Sequence, residues 1–296
     1  ARYPSRVGAM SNIKEAFVSR FGDKGLLVEI DLVQLEVMAL AELTQDPVLI
    51  TELNGGVDIH RMNASMWLKK PPHTVTDAER KKAKIMTFQL TYGAGAKRMA
   101  EDLGIPQDEA REFIDAFLRK YSYIAVFFDR VRYICAQTKV SVEPENKNRT
   151  MSVINVPTKR EYTATYKQSD YGNHDWQLSP TEFKNYPVQG FATGDMVPLI
   201  INMIIEDLDT RCARNYDIWG QGNILFINTI HDSAMFDCHE DDLGYLLIAV
   251  ERTFKELKDS FLTLFNYQLQ LNYTYSAKFG PNWKDVIEIT RADVKE

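Results

Sequence analysis

The sequence predicts an α+β fold, an antiparallel sheet with helices that is interrupted by a mainly helical insertion. Three observations predict it. Leu26-Leu27-Val28-Glu29-Ile30 is a short apolar run suited to a buried strand that ends at Asp31. Ile224–Ile230 and Ala234-Met235-Phe236 flank the polar pair His231-Asp232, as two strands do around a tight turn. Between them, apolar residues recur mostly at helical spacing.

The elements follow in order. Leu35, Val37, Met38, Leu40 and Ala41 favour a helix from Gln34 to about Leu43. Asn54-Gly55-Gly56 punctuates the chain, a helix follows around Ile59–Trp67, and Pro71-Pro72 breaks it. Thr76-Asp77-Ala78-Glu79 is a capping box, starting a helix that runs to about Tyr92 before Gly93. A helix from about Lys97 to Leu103 ends at Gly104-Ile105-Pro106, and a longer one from Gln107 to about Ala136 breaks near Tyr121. Residues 140–180 are rich in Asn, Thr, Ser, Lys and Tyr and fit exposed strands and loops. Tyr186–Asp209 returns to helix, another spans about Asp241–Phe265, and strands near Gln268–Ala277 close the chain.

Composition bounds the function classes. With 296 residues, 45% of them hydrophobic and 26% charged, the chain can bury a sizeable core as a globular protein. No run of about 18 apolar residues appears, which argues against a membrane span. Three scattered cysteines, Cys135, Cys212 and Cys238, form neither a disulfide framework nor a zinc pattern and suit a reducing compartment. A net charge of −6 argues weakly against a protein that grips nucleic acid over its whole surface, but not against one whose cations line a cleft. The start, Ala1-Arg2-Tyr3-Pro4-Ser5, is neither a signal nor a transit peptide, and it suggests that the chain begins inside a longer polypeptide. A cytoplasmic location is expected.

Three motifs carry chemistry. Asp31-Leu32-Val33-Gln34-Leu35-Glu36 puts a carboxylate at the end of a buried strand, where it is held rigidly and suits Mg²⁺; it also suits a helix cap. Arg80, Lys84, Phe88 and Tyr92 recur every fourth residue and form one slowly drifting helical stripe ending at Gly93. Cations on that face fit a triphosphate, and flat rings fit a base or sugar. Lys81 and Lys82 spread the charge further, as a merely solvated first turn does. His231-Asp232 suits a hairpin turn on conformational grounds, and Asp232 can equally supply a second metal carboxylate. Together they are the parts that nucleotidyl transfer needs: two carboxylates for a pair of divalent ions and a cationic helix.

On these residues the sequence resembles the DNA polymerase I family (family A). Asp31, Gln34 and Glu36 match its first motif; Arg80, Lys84, Phe88, Tyr92 and Gly93 match its fingers helix; His231-Asp232 match its hairpin. Asp58-Ile59-His60-Arg61, Asn185, Gln189-Gly190 and Gly280-Pro281-Asn282-Trp283 are similar as well, and the likeness runs from about Arg2 to Trp283. The resemblance implies a right-hand palm with a helical fingers insertion: palm over residues 1–40 and 179–296, and fingers over 41–178. It implies a template-directed DNA polymerase core acting on primer–template DNA and deoxynucleoside triphosphates. Two Mg²⁺ ions, with Mn²⁺ as a substitute, would be held by Asp31, Asp232 and the Leu32 carbonyl. Arg80, Lys84 and His60 would bind the triphosphate, with Lys84 among the catalytic set beside Asp31 and Asp232. Glu36 would exclude a ribose 2′-hydroxyl, and Phe88 and Tyr92 would pack by the sugar and nascent base pair. Gln34, Asn185 and Gln189 would contact the minor groove at the nucleotide and duplex, Gly93 the template, His231 the primer terminus and Arg2 the primer.

The sequence departs from the family in two respects. Ser233 stands where the family usually has Glu, and Thr181 stands where a duplex-contacting Arg is expected. No segment for a thumb or 3′–5′ exonuclease is recognised, so a separate chain or further segment carrying them is an expected partner. Three alternatives stay open: a single-subunit RNA polymerase, suggested by Ser233; a catalytically incomplete nucleic-acid-binding subunit; and a metal phosphohydrolase using His231-Asp232 and His174-Asp175.

Overall fold

β1 (Gly25–Leu32) is central to the architecture because its side chains alternate. Val28, Ile30 and Leu32 are buried on one face, whereas Glu29 and Asp31 are half-exposed on the other, which also carries the buried Leu27. The computed structural model describes residues 13–137, 148–150, 156–160, 163–168, 176–211 and 222–289. Arg2, Cys212, His174 and Asp175 lie outside them. The chain divides into two compact units, one of residues 1–35, 192–268 and 273–296, the other of residues 36–191 and 269–272.

The first unit is built on a five-stranded antiparallel sheet of order β5-β6-β1-β7-β8. Its other strands are β5 (Ile224–Ile230), β6 (Ser233–His239), β7 (Tyr275–Gly280) and β8 (Ile287–Ile289). β1 pairs with β6 from Gly25↔His239 to Asp31↔Ser233, and with β7 from Leu27↔Gly280 to Leu32↔Tyr275. β5 and β6 form the expected hairpin, closed at Ile230↔Ser233 across His231 and Asp232. Two helices, Val197–Thr210 and Leu243–Phe265, pack on each other, and the first also touches β6. Their buried faces include Val197, Ile200, Ile204 and Leu208 on one and Leu246, Val250, Leu257 and Phe261 on the other. Each such side chain contributes about 1.5–3 kcal/mol when removed from water.

The second unit is mainly helical. In chain order it holds α1 (Leu35–Thr44), α2 (Pro47–Asn54), α3 (Ile59–Leu68), α4 (Asp77–Thr91), α5 (Ala96–Leu103), α6 (Gln107–Lys120), α7 (Ser122–Gln137) and α8 (Pro180–Gln189). The capping box of α4 forms as expected: Thr76 Oγ1 accepts from the Glu79 amide, and Glu79 accepts from the Thr76 amide. α5 ends at Gly104 in the left-handed region, with φ 65°. The break between α6 and α7 falls at the fully buried Tyr121, whose hydroxyl donates to Glu52 at 2.7 Å. A small sheet of β2 (Asn148–Thr150), β3 (Thr163–Gln168) and β4 (Trp176–Leu178) occupies the expected irregular stretch, but Tyr166 and Leu178 are buried rather than exposed.

Three sequence expectations change. The helix expected over Tyr186–Asp209 begins already at Pro180, capped by Ser179, and is π-helical over Gly190–Met196 before α9 (Val197–Thr210). By averaged hydropathy, Thr181–Thr210 is long and apolar enough to cross a membrane. It carries Glu182, Lys184 and Asp195, however, and α9 buries its apolar face against the following helix, α10 (Leu243–Phe265), as a core helix does. The strand expected from Gln268 starts only at Tyr275. The buried Glu42 carboxylate accepts from the Gln270 and Leu271 amides at 2.8 and 2.9 Å, and Asn54 pairs with Gln270 and Asn272, so this backbone is satisfied without a sheet.

Asp46 shows how the helical unit is held. Only 1% exposed, it caps α2 by accepting from the Val48 and Leu49 amides, and its second oxygen accepts from the Tyr123 amide at the start of α7. Asp46→Ala removes the cap and strands a buried amide, so denaturant unfolding is expected to show a loss of about 3 kcal/mol, with Asp46→Asn milder. A loss below about 0.5 kcal/mol would show that this carboxylate does not hold the two helices.

Candidate active site

The residues singled out from the sequence fall into two groups, one in each unit. In the sheet unit, Asp31 is the last half-exposed residue of β1 and lies directly across from Ser233, the residue after Asp232. The Leu32 amide donates to the Asp232 carbonyl at 3.0 Å, so the ladder itself fixes the hairpin turn beside the end of β1. His231 takes the tight corner with φ 56° and is exposed. Gln34 is also left-handed, with φ 53°, and its Oε1 is buried without a hydrogen-bond partner.

Ser233, which the sequence marked only as a departure from the family, joins this group, and so does Glu29, which sequence reasoning passed over. Ser233 is 3% exposed; its hydroxyl lies 3.1 Å from the Ile230 carbonyl and 3.4 Å from Glu29 Oε1, so one hydroxyl proton serves two acceptors. Glu29 therefore places a carboxylate beside the serine. Strand parity was the available signal, because Glu29 precedes Asp31 by two residues and shares its face. The donor set here is all oxygen: the Asp31 and Asp232 carboxylates and the Leu32 carbonyl. Such hard donors suit Mg²⁺ held by one or two carboxylates with water and substrate phosphate. They do not form an all-protein cage, since no group of three or more His, Cys, Asp or Glu among the described residues is placed to hold a metal.

In the helical unit, the four-residue stripe is real. On α4, Phe88 and Tyr92 stack with ring centroids 6.3 Å apart, and Lys84 Nζ lies 5.4 Å from the Phe88 centroid. His60, from α3, reaches the same place: its ring is 5.5 Å from that of Phe88, it is 2% exposed, and its Nδ1 has no partner. Arg80 is ion-paired through Nε to Asp58 Oδ2 at 2.5 Å, a partner that the sequence did not single out. The pairing was signalled only by the position of Asp58, two residues before His60. Burial raises the Asp58 pKa, but the Arg80 and Arg61 hydrogen bonds outweigh it and hold the carboxyl below its ordinary range.

At the end of the stripe, side chains form a continuous relay. Asn185 Nδ2 donates to Gln189 Oε1 (3.3 Å), Gln189 Nε2 donates to the Tyr92 hydroxyl (3.2 Å), and that hydroxyl donates to Glu36 (2.8 and 2.9 Å to its two oxygens). Gly93 follows with φ 82°, and a Cβ there would stand 3.2 Å from Thr181 Cγ2, so both conformation and space require glycine. The second unit thus brings together Glu36, His60, Arg80, Lys84, Phe88, Tyr92, Gly93, Asn185 and Gln189. The first brings together Asp31, Leu32, Gln34, His231 and Asp232.

With this geometry in hand, comparison with known proteins decides the family. The family model for DNA polymerase family A matches residues 2–285. The chain belongs to DNA polymerase family A. It is 24% identical to DNA polymerase I of Synechocystis over 86% of its length and 29% identical to that of Deinococcus radiodurans over 95%. It is 38% identical to mouse DNA polymerase theta over 39% of its length. The chain spans 24% and 26% of the two bacterial relatives and 4% of the mouse protein. Its fold is similar to the POL domain of Pol1 from M. smegmatis, solved in complex with DNA primer–template and dNTP. The TM-score is 0.68 and the identity 20%, covering 95% of this chain and 44% of that one. The mixed helix and antiparallel sheet is accordingly that of a polymerase right-hand palm and fingers.

His60 gives this family A site a measurable signature. Burial first, then the Lys84 and Arg80 charges, push its pKa from 6.5 down to about 4, with Asp58 opposing. Between those values the unfolded chain binds the proton and the folded chain does not, so stability falls as pH drops from 6.5 toward 4. The full effect is about 3 kcal/mol. His60→Gln should remove this component of the pH–stability profile, and an imidazole that titrates near its ordinary value by NMR would contradict the geometry.

Proposed function

We propose that this chain is the palm-and-fingers core of a template-directed DNA polymerase that adds deoxynucleotides to a primer 3′ end by two-metal nucleotidyl transfer. The observation that carries the reading is that each unit assembles its share of that chemistry from residues far apart in sequence. Asp31 and Asp232 are 201 positions apart, yet meet at the end of one strand pair. Glu36, His60, Arg80 and Gln189 converge around the α4 stripe. The palm corresponds to the sheet unit and the fingers to the helical unit.

The residues divide the work. Asp31, Asp232 and the Leu32 carbonyl would hold two Mg²⁺ or Mn²⁺ ions. When bound, such ions lower the pKa of the primer 3′-hydroxyl and neutralise charge on the departing diphosphate. Lys84, exposed at its tip, and Arg80 supply cations for the triphosphate, and the orphan Nδ1 of His60 is available to hydrogen-bond a phosphate oxygen. Phe88 and Tyr92 offer stacked rings for the sugar and base. Gln34, Asn185 and Gln189 read the minor groove, Gly93 admits the template, His231 meets the primer terminus and Arg2 the primer strand.

Glu36 favours the DNA reading over an RNA polymerase. The Tyr92 hydroxyl bonds both of its carboxylate oxygens, which supports a fixed carboxylate that, on this reading, a ribose 2′-hydroxyl would meet. Glu36→Ala should lower discrimination against ribonucleotides by about 10²–10³-fold in kcat/KM ratio, the scale of a steric and electrostatic exclusion worth about 3–4 kcal/mol. A wild-type preference for ribonucleotides would overturn the DNA assignment.

Asp31→Asn or Asp232→Asn should lower Mg²⁺-dependent primer extension at least about 10³-fold, since each removes a charge that holds the ions. The assay uses the polypeptide in which this chain naturally stands, with any partner chain supplied. Extension undiminished in either variant would refute two-metal catalysis at this strand end. Binding of primer–template by the wild type without extension would instead mark a non-catalytic subunit.

A further inference from the structure

Arg80 is not a free cation in this fold, and the manner of its restraint is informative. Asp58 Oδ2 takes the Nε–H at 2.5 Å, the donor nearest the backbone, so the terminal Nη1 and Nη2 groups are not consumed by the pair. The carboxylate cannot follow the arginine away. Its other oxygen caps α3 by accepting from the Arg61 amide at 3.0 Å, and Arg61 itself is tied down by hydrogen bonds to Asp77 and the Val75 carbonyl. The same cap begins the helix whose second residue is the buried His60 with its orphan Nδ1. One carboxylate thus joins the N-terminus of α3, two residues before His60, to Arg80 in the first turn of α4.

The geometry points to Asp58 as a positioning residue for the nucleotide: it fixes the Arg80 guanidinium beside His60 so that both present donors to one phosphate group. This rests on the triphosphate-binding role proposed for Arg80 and His60. A long arginine side chain left free must be ordered when the ligand arrives, at an entropic cost that weakens binding. Held through Nε, it presents a planar edge with its orientation already set, which is the geometry suited to bidentate phosphate contact. Asp58 itself is a carboxylate near an anion-binding patch, and on charge alone it would repel the ligand. The positioning effect must therefore exceed that repulsion, and the test turns on this sign.

Asp58→Asn is the decisive substitution, because asparagine caps a helix as well as aspartate does but carries no charge to hold the Arg80 Nε–H. The measurement is the affinity of the full chain for a Mg²⁺-complexed deoxynucleoside triphosphate, by titration with a fluorescent dATP analogue, alongside the melting temperature. Asp58→Asn is expected to weaken binding about 10-fold with little change in Tm, whereas Asp58→Ala weakens it as much and also lowers Tm by about 2–4 °C. In an Arg80→Ala background, Asp58→Asn should add nothing, because the two act through one interaction. Unchanged or tighter binding by Asp58→Asn would overturn the inference and make Asp58 a competing counter-ion. An additive effect in the double variant, or a change in Tm alone, would overturn it equally and leave only a helix cap. A wild-type chain that binds no nucleotide would refute the function proposed for the α4 stripe itself and this inference with it.

Discussion

The register of β1 against β6 is the constraint on which the rest of the sheet unit depends. Antiparallel pairing sets Asp31 across from Ser233 and lets the Leu32 amide reach the Asp232 carbonyl. A slip of one residue would move every side chain of β1 to the other face, burying Glu29 and Asp31 and exposing Val28 and Ile30. The apolar residues prevent it, because Val28, Ile30 and Leu32 gain far more from burial than the polar residues could repay. The carboxylates are thus located by the hydrophobic core. β7 pairs on the other side of β1 in the same sense, so the strand cannot shift without breaking two ladders at once.

The helical unit solves a different problem, that of keeping cations close together in a chain whose net charge is −6. Arg80, Lys81, Lys82 and Lys84 fall within five residues, and their repulsion is relieved locally. Asp77 and Glu79 lie in the first turn of α4, where they also favour its dipole, and Asp58 pairs with Arg80 from the neighbouring helix. Buried beside these charges, His60 stays neutral, with its Nδ1 unpaired. Because Asp58 takes only the Nε–H of Arg80, the net negative charge of the chain does not conflict with the proposed anion binding.

Much of this was legible in the sequence, for identifiable reasons. β1, the hairpin, the capped α4 and the break at Tyr121 were all foreseen because each is written in local chemistry: an apolar run, a polar pair between strands, a capping box, an interrupted helical period. The stripe from Arg80 to Tyr92 needed only the helical repeat. What was not legible depended on partners distant in sequence. The strand expected from Gln268 failed because Glu42, more than 200 residues earlier, captures the backbone amides it would have used. The pairing of Asp58 with Arg80 and the approach of Ser233 to Glu29 are invisible until the helices and strands are packed. Tyr166 and Leu178 were read as exposed because their neighbours are polar, but burial in a short strand is set by what lies beneath it.

The relay from Asn185 to Glu36 shows how such distant partners give a site its rigidity. A lone glutamate at the start of a helix has three rotatable bonds and a choice of solvent-facing rotamers, and excludes little. Here Tyr92 offers both carboxylate oxygens one hydroxyl proton, and that hydroxyl accepts from Gln189, which accepts from Asn185. Each donor in the series polarises the next, so the bonds strengthen one another as well as fixing the geometry. The tyrosine is in turn oriented by its stack on Phe88, and the chain after it is turned by Gly93, whose missing Cβ lets Thr181 approach. Glu36, proposed to screen the sugar, is therefore held by residues proposed to contact the base pair and the minor groove, so a disturbance of Asn185 or Gln189 reaches Glu36 through these hydrogen bonds. Under the proposed function, sugar selection and duplex contact are two ends of one hydrogen-bonded path in this unit.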